Sequence, residues 1–142
     1  MRIPIVDTII EKDGKLLMLK RAFDPKGKLD FPGGFVDENE DIEIAAIREV
    51  KEESGFDVKL VKKLGVFEYF YKGDKILHVF IGEVTGSTQT SSIEGTPVWI
   101  DPRTISAEDL AFPQIHVRVI NEYFKLQGIE CSISDFKKQG QE

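Results

Sequence analysis

Phe31-Pro32-Gly33-Gly34-Phe35-Val36-Asp37-Glu38-Asn39-Glu40-Asp41, running on into Ile42-Glu43-Ile44-Ala45-Ala46-Ile47-Arg48-Glu49-Val50-Lys51-Glu52-Glu53-Ser54-Gly55-Phe56, is the stretch on which the fold turns. Its second part has helical spacing. At about 100° per residue from Ile42, Ala46, Val50 and Ile47 share one arc, expected to pack on a sheet. Glu49, Glu52 and Glu53 share another side, with Ala45 among them leaving open space above the helix. Ile44, Arg48 and Lys51 form a third. The spacing predicts a helix over Ile42–Ser54, and Gly55 suits the left-handed position that ends it.

Glu49 and Glu53 stand four residues apart, where like charges oppose each other on a helix. Both also lie in the C-terminal half, where the helix dipole disfavours negative charge. Taken alone, such glutamates read as a solvated face. They equally suit a hard cation, since Mg²⁺ prefers carboxylates, waters and substrate phosphates. In the preceding turn, Gly33 and Gly34 let the backbone approach a ligand closely. Asp37-Glu38-Asn39-Glu40-Asp41 resembles the start of a calcium-binding loop. That loop needs Gly sixth and Glu twelfth, where this chain has Ile42 and Arg48.

Outward from this stretch, Asp13-Gly14 between apolar runs predicts a hairpin joining Ile3–Ile10 to Lys15–Arg21. A second hairpin is expected where Val66–Tyr71 meets Ile76–Val84 across Lys72-Gly73-Asp74. Thr96–Ile100 reads as a short strand and Thr85–Ser92 as a surface loop. Ser106-Ala-Glu-Asp109 resembles a capping box that opens a helix, and a longer helix is expected over Pro113–Gln127, before Gly128. The layout is α+β: an α/β/α sandwich with a mixed, mostly antiparallel, curved sheet between helices. Residues 1–126 read as a single domain, and 127–142 as a polar tail of uncertain order.

Bulk properties narrow the class further. A chain of 142 residues with 41% hydrophobic and 31% charged residues is one ordinary globular domain. The single cysteine, Cys131, rules out an intrachain disulfide and a cysteine metal cluster, and points to the cytoplasm. No window approaches the roughly 18–20 apolar residues that span a bilayer. The formal charge of −6 argues against nucleic acid as a partner. An anionic substrate would therefore need a local basic patch or a bound cation to attract it.

Gly34, five residues, Glu40, seven residues, then Arg48-Glu49-Val50-Lys51-Glu52-Glu53-Ser54-Gly55-Phe56 matches the Nudix signature at every defined position. The chain therefore resembles a Nudix hydrolase over most of residues 1–126. The resemblance implies a hydrolase that uses Mg²⁺ or Mn²⁺ to cleave the diphosphate of a nucleoside diphosphate linked to another group. By position, Glu49, Glu52 and Glu53 would be metal ligands, with the Gly33 carbonyl a further one. Arg48 would orient the neighbouring glutamates, and Glu40 would support the loop–helix geometry. Glu94, upstream of Trp99, is favoured as general base or extra ligand, with Glu49 as its rival. Arg21 is expected against phosphate, and Phe31 and Gly34 against substrate. Phe23, Phe67 and Tyr69 are open between stacking and core roles. His78 and His116, without partners at metal-ligand spacing, read as structural.

Phe31–Asp37 and Leu110-Ala111-Phe112 look like members acting on ADP-ribose or NADH, while Tyr71 is nearer the dinucleoside-polyphosphate pattern. The alternatives are nucleoside triphosphate clean-up and a noncatalytic nucleotide-sensing module. Such modules usually lose glutamates that this chain keeps. The expected partner is a small nucleotide, with no membrane; many relatives are homodimers, and no residue decides that here.

Overall fold

Residues 2–87 and 94–134 are described by a computed structural model; residues 88–92 of the expected surface loop lie outside them. Strands β1 (Ile3–Lys12) and β2 (Lys15–Arg21) form the first hairpin. Asp13 and Gly14 both take positive φ, 54° and 77°, the backbone that an Asp-Gly turn supplies at least cost. Strands β3 (Leu29–Asp30) and β4 (Gly33–Phe35) follow, then helix α1 (Ile42–Ser54). Strands β5 (Phe56–Phe70), β6 (Asp74–Ser87) and β7 (Gly95–Ile100) precede helix α2 (Pro113–Gln127).

The sheet is mixed and mostly antiparallel. Its main order is β3-β2-β1-β6-β5, with β4 added on β1 and β7 on β2. Among the described strands, β1 and β6 are the pair that runs parallel, from Ile3–Lys75 to Ile10–Gly82. Because side chains alternate along a strand, β1 serves two cores. Ile9 joins Leu77, Val79, Ile115, Val119, Ile120 and Tyr123 under α2. On the opposite face, Val6 meets Ala45, Ala46 and Phe80 under α1, and Ile10 meets Leu17, Val50 and Val58.

Several expectations are corrected. The buried arc of α1 is Ala45, Ala46, Val50 and Glu53, while Ile47 is 39% exposed. Two adjacent alanines let the helix approach the sheet closely, and a backbone hydrogen bond draws the Glu53 carboxylate inward. Ala45 therefore packs on the sheet and opens no space. The fifth strand begins at Phe56, directly after the αL residue Gly55 (φ 81°), and not near Val66. Register shifts at Asp57/Val58, Leu60/Lys62 and Lys63/Gly65 break its alternation, so Lys59, Lys62 and Lys63 hide its length. The helix expected from Ser106 is a single 3₁₀ turn, Ala107–Asp109. The Ser106 N–H does donate to Asp109 Oδ2 at 2.8 Å. Pro113 holds the chain before it out of helical geometry and delays the long helix to α2.

Beyond Gln127 the chain turns at Gly128, in αL at φ 68°, and Ile133 is buried in the α2-side core. Asn121 fixes it from both sides: the Ile133 N–H donates to Oδ1 at 2.7 Å, and Nδ2 donates to the Ile133 carbonyl at 3.0 Å. Residues 135–142 lie outside the described residues. Among the described residues no helix is long and apolar enough to cross a membrane.

Candidate active site

Strand β4 lies along β1 with Gly33 opposite Asp7 and Gly34 opposite Val6. A Cβ on Gly33 would collide with the Val6 carbonyl and the Asp7 side chain, and one on Gly34 would sit 2.7 Å from the Glu49 carboxylate. Gly33 thus lets β4 lie close along β1, and Gly34 lets α1 bring Glu49 onto this backbone. The Gly33 N–H donates to Glu53 Oε1 at 2.7 Å. Strand β7 pairs with β2 so that Gly95 faces Arg21, and the Ala22 N–H donates to the Glu94 carbonyl at 2.9 Å. That pairing carries Glu94 to the same place. Glu49, Glu53, Glu94, Gly33 and Gly34 all line one cleft of about 390 Å³, within the usual range for a small-molecule site.

Arg48 organises the outer side of this cluster. Its Nε and Nη2 donate to the two oxygens of Glu40 at 2.7 and 2.9 Å, the paired geometry that suits guanidinium and carboxylate. Its Nη1 donates to Glu49 at 2.8 Å and to Glu52 at 3.2 Å. Glu40 also accepts from the Asp37 N–H at 3.0 Å, locking the loop to the helix. These hydrogen bonds, with Arg48 first, hold the Glu40 carboxyl down at about 2. The same partners push the Arg48 guanidinium further up.

Inside the cleft the balance reverses. Burial, a hydrogen bond with Glu94 and the charges of Glu49 and Glu94 push Glu53 up to about 10, against the pull of the Gly33 N–H. Burial likewise raises Glu49, although Arg48 opposes it. Three carboxylates crowded in a partly desolvated pocket are short of positive charge. A divalent cation with oxygen ligands fits that donor set. Among the described residues, no three acidic, histidine or cysteine side chains are placed to hold a metal ion by themselves. Mg²⁺ characteristically keeps waters and phosphate oxygens beside one or two carboxylates.

The rest of the cleft is lined by Asp7, Arg21, Asp30, Phe31, Tyr69 and Tyr71, together with Lys75, Phe112 and His116. His116 Nε2 and Asp7 Oδ2 pair at 2.9 Å, both groups buried. Burial, only partly offset by His116, raises the Asp7 carboxyl to about 6. Burial pulls His116 down, but the Asp7 contact prevails and its net shift is upward. Arg21 Nη1 donates to Asp30 Oδ2 at 3.1 Å and Nη2 to the Asp24 carbonyl at 3.0 Å, and its guanidinium lies 5.3 Å from the Phe112 ring centroid.

A NUDIX domain profile matches residues 1–122 of this chain. The chain belongs to the Nudix family. Nudix relatives include a protein named ADP-ribose pyrophosphatase from Methanocaldococcus jannaschii, 46% identical over 85 residues, covering 57% of this chain and 50% of that protein. Another, from Danio rerio, is named oxidized purine nucleoside triphosphate hydrolase; it is 33% identical over 132 residues, covering 84% of each. A protein from Bacillus subtilis named putative 8-oxo-dGTP diphosphatase is 33% identical over 100 residues, covering 66% of this chain and 62% of that one. The chain thus spans half to two-thirds of the first relatives' length. In fold it superposes on a NUDIX hydrolase from Nitrosomonas europaea with a TM-score of 0.76 at 21% identity, covering 99% of this chain and 100% of that one.

Of the residues singled out from sequence, Glu49, Glu53 and Gly34 of the Nudix box meet in the cleft, and Gly33 and Glu94 join them from outside the box. Glu52 stands apart: its side chain is 56% exposed and bonded to Arg48. Gly55 closes α1, its N–H donating to the Lys51 carbonyl at 3.0 Å. Arg21 reaches the cleft with its charge turned to Asp30, and Phe31 is buried edge-on to His116 at 5.0 Å. Phe67 packs against the α2-side core, and Phe23 is exposed. His78 lies outside the cleft, its Nδ1 2.9 Å from Lys63 Nζ. Reading the sequence overlooked Asp7, Asp30 and Lys75 as cleft residues and read His116 as structural. Asp7, the one charged residue in the run Ile3–Ile10, is the visible signal.

Proposed function

We propose that this Nudix chain is a divalent-metal-dependent hydrolase of the phosphoanhydride bond in a nucleoside diphosphate linked to another group, ADP-ribose being the leading example. The observation that carries the reading is the convergence of Glu49, Glu53 and Glu94 on one cleft beside the Gly33-Gly34 backbone. Glu49, Glu53 and the Gly33 carbonyl would hold Mg²⁺ or Mn²⁺, with Glu52 available from the outer side. When bound, the metal neutralises the diphosphate and lowers the pKa of a coordinated water. Glu94, hydrogen-bonded to Glu53, takes the proton from the attacking water; Glu49 is the other candidate base. Arg48 holds Glu49 in place, and Glu40 holds Arg48. The relatives' names, spanning ADP-ribose and oxidized purine triphosphates, support a diphosphate-cleaving activity and keep nucleoside triphosphate clean-up as the second reading.

The test is the release of phosphate monoesters (AMP and ribose 5-phosphate from ADP-ribose, nucleoside monophosphate from the others) from ADP-ribose, NADH, diadenosine polyphosphates, dGTP and 8-oxo-dGTP, with and without Mg²⁺, for wild type and Glu53→Gln. The expected result is metal-dependent turnover that falls by about a hundredfold or more in Glu53→Gln, with its fold intact by circular dichroism. The preferred compound decides between the two readings. No turnover on any compound, with nucleotide still bound, would turn the site into a sensing module.

A further inference from the structure

Strand β6 turns Lys75, Leu77 and Val79 to the same face, and all three are buried, Lys75 with 6% exposed. Leu77 and Val79 enter the core under α2, so an apolar residue would be the ordinary choice at 75. A lysine is seldom buried to this degree unless a carboxylate pairs with it. Among the described residues Lys75 makes no ion pair, and its one hydrogen bond runs from Nζ to the Lys72 carbonyl at 3.0 Å, in the turn between β5 and β6. An ammonium has three N–H groups to give, so two remain. Gly73 keeps the turn clear of them, since a Cβ there would stand 3.3 Å from Nζ. Lys75 also lines the cleft. The other charged residues there are Asp7, Asp30, Asp37, Glu49, Glu53 and Glu94, and Arg21, whose charge Asp30 takes up. Lys75 is therefore the cleft cation that no carboxylate among the described residues pairs with.

Strand register gives the distance of Lys75 from the glutamate end. Strands β4 and β6 flank β1, with Gly33 opposite Asp7 and Lys75 opposite Ile3. That offset is about 13 Å along β1 and about 10 Å across it. Lys75 is too far away to share a diphosphate held at Gly33, Glu49 and Glu53, and far enough for a sugar to lie between. Resting on the hydrolase reading and deepening it, we propose that Lys75 binds a further phosphate monoester, carried on one of the two sugars that flank the substrate's diphosphate. A buried unpaired charge is costly, and a phosphate supplies both the opposite charge and acceptors for the two remaining N–H groups. The carboxylates lining the rest of the cleft repel an anion elsewhere, so Lys75 fixes where the extra phosphate goes. Lys75 is then a specificity residue, and the hydrolytic step does not pass through it.

The test uses ADP-ribose, its 2′-phosphate on the adenosine sugar and its 1″-phosphate on the distal ribose. Each is made with a methylene group in place of the anhydride oxygen, so that none can be cleaved. Titration calorimetry with Mg²⁺ then reads affinity alone. For wild type, one phosphorylated analogue is expected to bind about tenfold or more tightly than the plain one, and which one it is tells which sugar faces β6. In Lys75→Met, which keeps the length of the stem and removes the charge, that advantage should vanish while the plain analogue binds as in wild type. Equal affinity for all three in wild type, no binding of any at millimolar concentration, or an advantage intact in Lys75→Met would overturn the proposal. Lys75→Gln is the second variant, and if neither folds the wild-type comparison decides. The cleavable parents are assayed beside the analogues. Tight binding of a phosphorylated analogue with no hydrolysis of any parent would sink the hydrolase reading and leave this one standing; hydrolysis with equal affinities would do the reverse.

Discussion

Gly33 and Gly34 are neighbours of the same type, yet their missing side chains make room for different things. A methyl on Gly33 meets backbone, the Val6 carbonyl, as well as the Asp7 side chain, whereas the nearest atoms to a methyl on Gly34 are the far end of Glu49. Backbone cannot yield without moving a strand, but a carboxylate can swing. Gly34→Ala should therefore fold and melt close to wild type while displacing the Glu49 carboxylate from Arg48. Shifts of about 1 Å in a reacting group cost roughly a hundredfold in rate, so turnover should fall on that order with circular dichroism unchanged. Turnover near wild type would mean that Glu49 has no fixed position to lose. Gly33→Ala, in contrast, should lower the melting temperature outright.

At the scale of elements, α1 and the loop before it act as one piece because Arg48 ties Glu40, Glu49, Glu52 and the Phe35 carbonyl together. This tie has a pH signature. Glu40 is held at about 2 in the folded chain against an ordinary 4.5, so the unfolded state binds its proton first. The contribution is complete above the ordinary value and is lost as pH falls through the folded one. Wild type should lose melting temperature relative to Glu40→Gln between about pH 4.5 and pH 2, with the difference constant from pH 6 to 8. Parallel curves over the acid range would show that the Glu40–Arg48 pair is not formed in solution. The element was legible in the sequence because its spacing fixes each contact locally: Arg48 is one helical turn from Glu52, and Gly55 ends the helix. Its rotation was not legible. Hydrophobicity favoured Ile47 over Ala45, whereas close approach to the sheet favours the smaller side chain, and the inward pull on Glu53 comes from a strand twenty residues earlier. The Asp7–His116–Asp30 cluster was hidden for the same reason, since β1, β3 and α2 bring it together and no local pattern does.

For the whole molecule, the question is where the folded unit ends. Ile133 lies in the same core cluster as Phe31 and Ile115, which line the cleft, so the segment after α2 bears on the walls of the site. Two independent features hold it: the side chain of Ile133, 7% exposed, and the paired hydrogen bonds of its backbone to Asn121. Truncating a buried isoleucine to alanine costs about 2–4 kcal/mol where the surroundings cannot close over the gap. At the edge of a core, the value should lie at the low end. Asn121→Ala should cost about 1–2 kcal/mol, since it removes two hydrogen bonds to backbone groups that can recover water once the segment lifts. The decisive quantity is their combination. If the segment docks as one unit, either change releases it, and the double variant should fall short of the sum by about 1 kcal/mol in a denaturant titration. Strict additivity would mean that side chain and backbone are held separately. Near-neutral effects from both would mean that the folded unit closes at α2 and that Ile133 rests on it without adding stability.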